Sequence, residues 1–198
     1  MKDQWNTRYK DEEFVYGKQP NEYFKKHLDN IPPGKLFLPA EGEGRNAIYA
    51  ALKGWQVDAV DFSESGKEKA IKLAGENKVT INYQVSDLME YQFPENEYDA
   101  VGIIYAHFHS AIRSKIYRKV ANSLKTGGFL ILETFSKKQL GKSSGGPQDS
   151  EMLNSAELIK ADFKGFEIIQ LTETKIILQE GGLHQGEAEV VRMLARRK

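Results

Sequence analysis

Residues 35–47 read KLFLPAEGEGRNA, and this stretch decides the fold. The apolar run at 36–38 predicts a buried strand, the Gly42-x-Gly44 pair a tight turn, and the apolar residues after it at helical spacing a helix. Glycine adopts positive φ readily and has no Cβ to hold a ligand away from the backbone. The predicted strand–loop–helix unit therefore presents the free N–H groups of a helix start to whatever binds over the loop.

The loop departs from the glycine pattern of dinucleotide-binding proteins, which usually read G-x-G-x-x-G. Here Arg45, Asn46 and Ala47 follow the second glycine, so the third glycine of the pattern is missing. Two acidic residues in the loop, Glu41 and Glu43, would also repel a pyrophosphate. The loop thus predicts a nucleoside-like ligand with a cationic or amino group. Because a Gly-x-Gly pair alone is more often only a turn, this prediction depends on the residues at the later strand ends.

Length and composition limit the class of protein. The chain has 198 residues, 28 basic against 28 acidic side chains and no cysteine. This length suits one self-sufficient domain, and the zero net charge does not favour a nucleic-acid partner. Without cysteine there is no disulfide, thiolate zinc site or cysteine nucleophile. The N-terminus is polar and no apolar run approaches the roughly 20 residues that cross a bilayer, so we expect a cytoplasmic protein without a membrane partner.

Strand and helix signals alternate beyond the loop. Strands are predicted at 35–40, 56–61, 80–85, 99–105, 128–135, 166–178 and 187–194, and helices at 44–54, 64–75, 110–123 and 155–163. Such alternation indicates βαβ units. We predict an α/β fold: a Rossmann-like doubly wound seven-stranded sheet, mostly parallel with one antiparallel C-terminal strand, and helices on both faces.

Two segments outside this pattern leave alternatives open. Residues 2–29 are rich in aromatic and charged side chains and include a predicted helix at 20–29. They form either a helical pair packed on the sheet edge or a cap that closes over a ligand. The loop at 136–150 is either functional or disordered. We expect a single domain at 1–198: a cap at 1–30, a binding core at 35–135 and a C-terminal part at 136–198.

Polar residues follow several predicted strands. Asp61 lies 61 − 41 = 20 positions after Glu41, where an acidic residue commonly holds ribose hydroxyls; the alternative is a helix N-cap, which Asp61 and Ser63 both suit. Asp87 and Leu88 follow the third strand and could bind the edge and face of a base, although such residues also make ordinary turns.

The fourth strand end reads YAHFH at 105–109, with two histidines and two aromatic side chains together. A histidine in such a place either faces a ligand or is structural. We select His107 as the candidate general base, which typically contributes about 10²–10⁴-fold, with His109 second. An anionic acceptor would need no base; Arg113 and His184 would then attract it. The alternative for Arg113 is a solvated helix face.

The order of these motifs resembles that of class I S-adenosylmethionine-dependent methyltransferases. The resemblance rests on residues 36–44, 60–63, 86–88, 98–101 and 124–130. The usual E/D-x-G-x-G-x-G pattern is broken at Asn46. Four stretches resemble the tellurite-resistance-type subgroup of small-molecule methyltransferases: Gly-Arg-Asn at this point, WNTRY at 5–9, YGKQPN at 16–21 and GGP at 145–147.

This resemblance implies S-adenosylmethionine as methyl donor and S-adenosylhomocysteine as product. The implied cofactor-binding residues are Trp5, Arg8, Tyr16, Glu41, Gly42, Glu43, Gly44, Arg45, Asp61, Phe62, Ser63, Asp87, Leu88 and Tyr105. Within this set the two glycines admit the methionine moiety, Glu41 or Glu43 faces its amino group or sulfonium, and Asp61 binds ribose. The aromatic N-terminus, with Arg8 on the methionine carboxylate, would form a lid.

The expected reaction is an in-line methyl transfer to a small-molecule acceptor: a thiol, a chalcogen oxyanion or a similar group. The catalytic candidates are His107, Arg113 and His184, and no metal is expected. The rival functions are a non-catalytic cofactor-binding module, a protein methyltransferase and an NAD-dependent oxidoreductase. Neither the acceptor nor the oligomeric state can be read from the residues.

Overall fold

The computed structural model describes residues 2–198, with side chains from residue 5 onward. The elements in chain order are α1 (Lys2–Arg8), α2 (Glu22–Leu28), β1 (Lys35–Pro39), α3 (Arg45–Leu52), β2 (Gln56–Asp61), α4 (Glu64–Glu76), β3 (Asn82–Val85), β4 (Tyr98–Ile104), α5 (Ser110–Ser123), β5 (Leu124–Phe135), α6 (Ala156–Asp162), β6 (Phe166–Glu180) and β7 (His184–Arg197). Two short 3₁₀ turns lie at Lys137–Gln139 and Ser150–Met152.

The seven strands form one sheet in the order β3-β2-β1-β4-β5-β7-β6. The first five strands in this order pair in parallel, whereas β7 runs antiparallel to both of its neighbours. The predicted sheet with one antiparallel member is therefore confirmed. The final connection is shorter than expected, because β6 and β7 extend until only residues 181–183 separate them. No helix in the described part of the chain is long and apolar enough to cross a membrane.

Each face of the sheet is covered by an apolar layer, because alternate residues of a buried strand point to opposite faces. In β1, Leu36 and Leu38 pack with α2, α3 and α4, while Phe37 packs in the opposite layer with α5 and α6. All three side chains are at most 1% exposed. Each contributes roughly 1.5–3 kcal/mol by burial, so the strand that carries the glycine loop is firmly fixed.

The two segments with open alternatives are both packed on this framework. Helix α1 lies against α4, and α2 lies against α3 and β5. The loop at 136–150 is ordered around the buried Gln139, whose side chain donates to Ser144 Oγ (2.9 Å) and Gly145 O (2.9 Å) and accepts from Glu189 N (2.8 Å). These bonds fix the loop to β7, beside the carboxyl end of β5.

Candidate cofactor and acceptor site

The carboxyl ends of four adjacent strands bring the main candidates to one edge of the sheet. The strands β3, β2, β1 and β4 are neighbours in that order. Asp61 is the last residue of β2, while Asp87, Glu41 and Tyr105 follow β3, β1 and β4 respectively. Ligands of open α/β sheets bind at this edge. Two non-glycine residues here have positive φ, Ala40 (55°) and Tyr105 (51°). Such backbone is uncommon and strained for an aromatic residue, and it clusters at functional sites.

Glu41 caps the helix that begins after the glycine loop. Its Oε1 accepts from the backbone N–H groups of Asn46 (2.9 Å) and Ala47 (2.8 Å). The prediction that these N–H groups are free for a ligand is therefore wrong, because a carboxylate of the same loop satisfies them. Burial raises the pKa of Glu41 to about 7, although these hydrogen bonds oppose the shift. A carboxylate at the helix start occupies the position of a pyrophosphate, which argues against a dinucleotide.

Asn46, in the place of the third glycine, ties the loop to α2. Its Oδ1 accepts from Asn21 N (2.9 Å) and its Nδ2 donates to Glu41 Oε2 (3.4 Å). The Asn21 side chain in turn caps α2 by accepting from Phe24 N (2.9 Å). Asn46 is only 3% exposed. The break in the glycine pattern thus supplies a buried side-chain contact that a glycine could not make.

Asp61 closes the turn between the glycine loop and α4. Its Oδ2 accepts from Gly42 N (3.1 Å) and its Oδ1 from Ser63 N (2.9 Å). The N-cap of α4 is Ser63, whose hydroxyl accepts from Gly66 N (3.1 Å). Burial raises the pKa of Asp61 to about 6. Each carboxylate oxygen can accept a further hydrogen bond, so Asp61 still has acceptor capacity for hydroxyl groups.

Glu43 holds the N-terminal segment. Its Oε2 accepts from Val15 N (2.9 Å) and Tyr16 N (3.4 Å), and its Oε1 lies 2.7 Å from Lys69 Nζ. The carboxylate is 3% exposed. Its position explains why the loop carries a second acid: the side chain binds backbone N–H groups of the protein itself.

The N-terminal segment closes over the loop. Arg8 donates to the Tyr16 hydroxyl (3.1 Å), and its guanidinium lies 4.3 Å from the centre of the Trp5 ring. Tyr9, which the sequence motif contains but which sequence reasoning left without a role, is buried against the loop. A Cβ built on Gly42 would lie 2.7 Å from the Tyr9 hydroxyl. The absence of a side chain at Gly42 therefore admits a lid residue.

An aromatic cluster continues the site along the ends of β4, β5 and β7. The His184 ring lies 4.5 Å from Tyr16, 4.7 Å from Tyr105 and 5.3 Å from Phe135, centre to centre. His107 stacks 5.4 Å from Phe135. The structure thus brings together His107 and His184, 77 positions apart. His184 is the first residue of β7. The predicted strands at 166–178 and 187–194 instead place it in the loop between them.

Both histidines of this cluster are held neutral. Burial lowers the pKa of His107 to about 3, and His184 acts in the same direction. Burial also lowers the pKa of His184, although the carboxylate of Glu180 opposes the shift. A general base works best with a pKa near the working pH, which makes His107 the weaker of the two. Among the described residues, the buried atoms without a hydrogen bond include His107 Nε2 and Tyr105 Oη.

A chain of buried polar side chains surrounds the cluster. Asn21 Nδ2 donates to Glu133 Oε1 (2.6 Å) and Glu180 Oε1 (3.1 Å); Arg192 pairs with Glu133 and Arg45 with Glu180 (2.8 Å). Sequence reasoning assigned no role to these residues except Arg45. One signal was available: Glu133 interrupts the apolar run FLILETF at 129–135, and a charge in a buried strand requires a partner.

Arg113 is not brought to the cluster. Its Nε donates to Asp162 Oδ2 (2.7 Å), so the guanidinium joins α5 to α6. At 7% exposure it does not lie on a solvated helix face either. We therefore remove Arg113 from the acceptor side. His109 is the exposed N-cap of α5, and its ring accepts from Ala111 N (3.2 Å).

The adenine-side candidates flank the end of β3. Leu88 is 7% exposed and packs in the apolar layer with Val60. Asp87 is exposed, and its Oδ1 accepts from Met89 N (2.8 Å). Phe62, directly after Asp61, is half-buried. These residues lie beside the second and third strand ends, although Asp87 makes the turn contact that was its alternative role.

Comparison with known proteins finds a methyltransferase domain and methyltransferase structures. A methyltransferase domain family matches residues 40–128. The 2-methyl-6-phytyl-1,4-hydroquinone methyltransferase of Synechocystis sp. is 26% identical over 113 residues, covering 56% of this chain and 35% of that protein. TehB from Haemophilus influenzae has a TM-score of 0.75 at 17% identity, over 100% of this chain and 67% of that one. Magnesium protoporphyrin IX methyltransferase (ChlM) from Synechocystis PCC 6803, with bound SAH, has a TM-score of 0.71 at 19% identity. That match covers 100% of this chain and 98% of the other.

The chain spans less than half the length of the curated relatives that it matches. The match begins at Ala40 and covers the glycine loop, the ends of β2 and β3 and the whole of β4. Together with the sheet order, it supports a class I S-adenosylmethionine-dependent methyltransferase. The bound SAH of ChlM supports S-adenosylmethionine and S-adenosylhomocysteine as the ligands of this site.

Proposed function

We propose that the protein transfers the methyl group of S-adenosylmethionine to a small-molecule acceptor. One observation carries the proposal: Tyr16 touches both halves of the site. Its backbone N–H lies 3.4 Å from Glu43 in the glycine loop, and its ring lies 4.5 Å from His184 in the aromatic cluster. A lid residue that spans both halves is suited to hold a donor and an acceptor together in a space closed to water.

The donor set fits the cofactor. Asp61 offers carboxylate oxygens to the ribose hydroxyls, Glu41 offers negative charge to a cationic donor, and Arg8 offers a guanidinium to the methionine carboxylate. The residues that would hold the cofactor are those predicted from the sequence, except that Glu43 would act through the lid and Tyr105 would belong to the acceptor side; Tyr9 joins them. When bound, the cofactor supplies a methyl group activated by a sulfonium.

The aromatic cluster is the proposed acceptor side. Holding two reactants in line removes roughly 7–11 kcal/mol of a barrier, so the enclosing rings of Tyr16, Tyr105 and Phe135 act mainly by position. His184 would take the proton of a protic acceptor, with His107 as a neutral polar neighbour. We propose a thiol, a chalcogen oxyanion or a similar group as the acceptor.

We propose in addition that residues 1–198 act as one methyltransferase unit, with a cap at 1–30, a core at 35–135 and a C-terminal part at 136–198. A single calorimetric unfolding transition, shifted as a whole by S-adenosylhomocysteine, would support this organisation. The cytoplasmic location stays a prediction, which cell fractionation would test.

The decisive experiment has two stages. Calorimetric titration with S-adenosylmethionine and S-adenosylhomocysteine comes first; absence of binding to both would refute the proposal, and an NAD(H) titration would then test the oxidoreductase. The second stage is a methyl-transfer screen over thiols, selenite, tellurite, amines, phenols and carboxylic acids. Binding without transfer to any of them would favour the non-catalytic module, and transfer only to protein substrates would favour a protein methyltransferase.

A further inference from the structure

The last residue of β6, Glu180, connects the two halves of the site. Its Oε2 lies 2.8 Å from an Arg45 guanidinium nitrogen and 3.2 Å from His184 Nδ1, and its Oε1 accepts from Asn21 Nδ2 (3.1 Å). The side chain is 14% exposed. Burial opposes ionisation of Glu180, but the hydrogen bonds from His184 and Arg45 and the charge of Arg45 outweigh it and lower the pKa of Glu180 to about 2. The group is therefore an anion at neutral pH.

An anionic carboxylate decides which nitrogen of His184 carries the proton. A carboxylate only accepts hydrogen bonds, so Nδ1 must be the donor and the neutral ring keeps its lone pair on Nε2. The Nε2 edge lies under the loop at 136–150. A Cβ built on Gly145 would lie 2.6 Å from Cδ2 and 3.3 Å from Nε2 of His184. Any side chain at position 145 would therefore clash with this edge of the ring.

The other partner of Glu180 belongs to the donor half. Arg45 is the first residue of α3, directly after the glycine loop, and is 7% exposed. Its second nitrogen donates to Tyr16 O (3.2 Å). One guanidinium therefore contacts both the lid and the carboxylate that holds His184. Because Arg45 and Glu180 are both largely buried, the loss of either one leaves the other as an uncompensated charge.

We propose that Glu180 is a positioning residue: it fixes His184 as the Nδ1–H tautomer, with Nε2 as proton acceptor, and connects that imidazole to the glycine loop through Arg45. This inference rests on the proposed function only in placing His184 beside the acceptor. A protic acceptor would then pass its proton to Nε2 and use the freed electron pair for the new bond to carbon, while the C–S bond of the methyl donor would break and leave its electron pair on sulfur.

The first test needs neither cofactor nor acceptor. Nitrogen–proton correlation spectra of the four imidazoles, with His184 assigned through His184→Gln, report tautomer and pKa directly. The expected result for the unmodified protein is Nδ1–H at His184. The Nε2–H tautomer would overturn the proposal, and because no substitution in the measured protein is involved, misfolding cannot produce that result.

Two variants then shift the proton affinity of His184 in opposite directions. Glu180 raises the pKa of His184 and Arg45 lowers it. Glu180→Gln is therefore expected to weaken proton binding at His184 at least tenfold, and Arg45→Met to strengthen it. The matched control is Glu187→Gln on the same hairpin, an exposed glutamate paired with Lys142 and Lys175, for which no change is expected. Equal His184 titrations in folded Glu180→Gln and the control would overturn the proposal.

Turnover separates positioning from general damage. Glu180→Gln is expected to lower kcat at least tenfold and to move its acidic limb with the His184 titration, while S-adenosylhomocysteine affinity stays within about threefold. A fall in kcat with an unmoved pH profile would contradict the proposal. If the protein binds no S-adenosylmethionine, the proposed function fails, whereas the tautomer measurement still tests Glu180.

Discussion

The donor half and the acceptor half of the site are built from different kinds of contact. On the donor side, carboxylates accept from backbone amides nearby in sequence: Asp61 from Ser63 two positions away, and Glu41 from Asn46 and Ala47 five and six positions away. On the acceptor side, side chains meet across large separations, as in Asn21–Glu133 at 112 positions and Asn21–Glu180 at 159. The donor half thus contains several local bonds, whereas the acceptor half depends mostly on distant side chains that only the folded chain brings together.

This difference predicts different responses to mutation. A backbone amide remains whatever side chain it carries, so the donor half should depend on a few acids and glycines. In the acceptor half every member is a side chain, and removing one leaves a buried partner unsatisfied. Donor-side changes should therefore act mainly on cofactor affinity, and acceptor-side changes mainly on turnover.

The largest expected effect is the loss of cofactor affinity in Asp61→Ala. Hydrogen bonds to a charged group contribute about 1.5–3 kcal/mol each, and two ribose hydroxyls would lose their acceptor. We expect at least a 100-fold weaker Kd for S-adenosylhomocysteine by calorimetry. Asp58→Ala is the control, since this residue of the same strand accepts from the Tyr98 hydroxyl (2.9 Å). Equal losses in both variants would show that strand damage is responsible.

On the acceptor side, Gly145→Ala should lower turnover about 10- to 100-fold. The new Cβ would lie 2.6 Å from the His184 ring, and φ of +126° is unfavourable for alanine. We expect kcat to fall while the Kd for S-adenosylhomocysteine stays within about threefold. Gly141→Ala is the control, because its φ is also positive (82°) but its Cβ meets nothing within 4 Å. A matching loss of cofactor affinity would break the division into two halves.

Restoring the missing glycine should weaken the fold instead of improving cofactor binding. Asn46→Gly leaves the buried Asn21 N–H without its partner, and it also places a glycine in a helix, a cost of roughly 0.5–1 kcal/mol. We expect the free energy of unfolding to fall by about 1–2 kcal/mol in urea titrations. Ala51→Gly in the same helix isolates the glycine cost. Equal stability of the two variants would mean that the Asn21 contact contributes nothing.

The smallest effect should appear in the pH dependence of stability. Because the folded pKa of Glu41 is about 7 against an ordinary 4.5, its contribution is fully present below about pH 4.5 and is lost as pH rises through 7. The unfolding free energy of the protein relative to Glu41→Gln should fall across this window. A difference that rises with pH would show that the capping bonds outweigh burial.

Much of the donor half was predictable from the sequence, for a physical reason. The apolar run before Gly42, the acid at Asp61 and the helix starts depend on local periodicity and turn chemistry, and the strand and helix positions agree closely with the structure. Glu43 shows the limit. Its local sequence indicated a ligand contact, whereas its partners are Lys69 and the backbone at Val15 and Tyr16.

The sequence alone determined the βαβ order, the seven-stranded sheet and the edge at which its ligands bind, since each depends on hydrophobic spacing and on acids at strand ends. Only the tertiary structure decided that Arg113 pairs with Asp162, that His107 and His184 meet around Phe135, and that Glu180 contacts Arg45 across 135 positions. Such contacts depend on the packing of segments that are far apart in the chain, and no local spacing encodes so distant a partner.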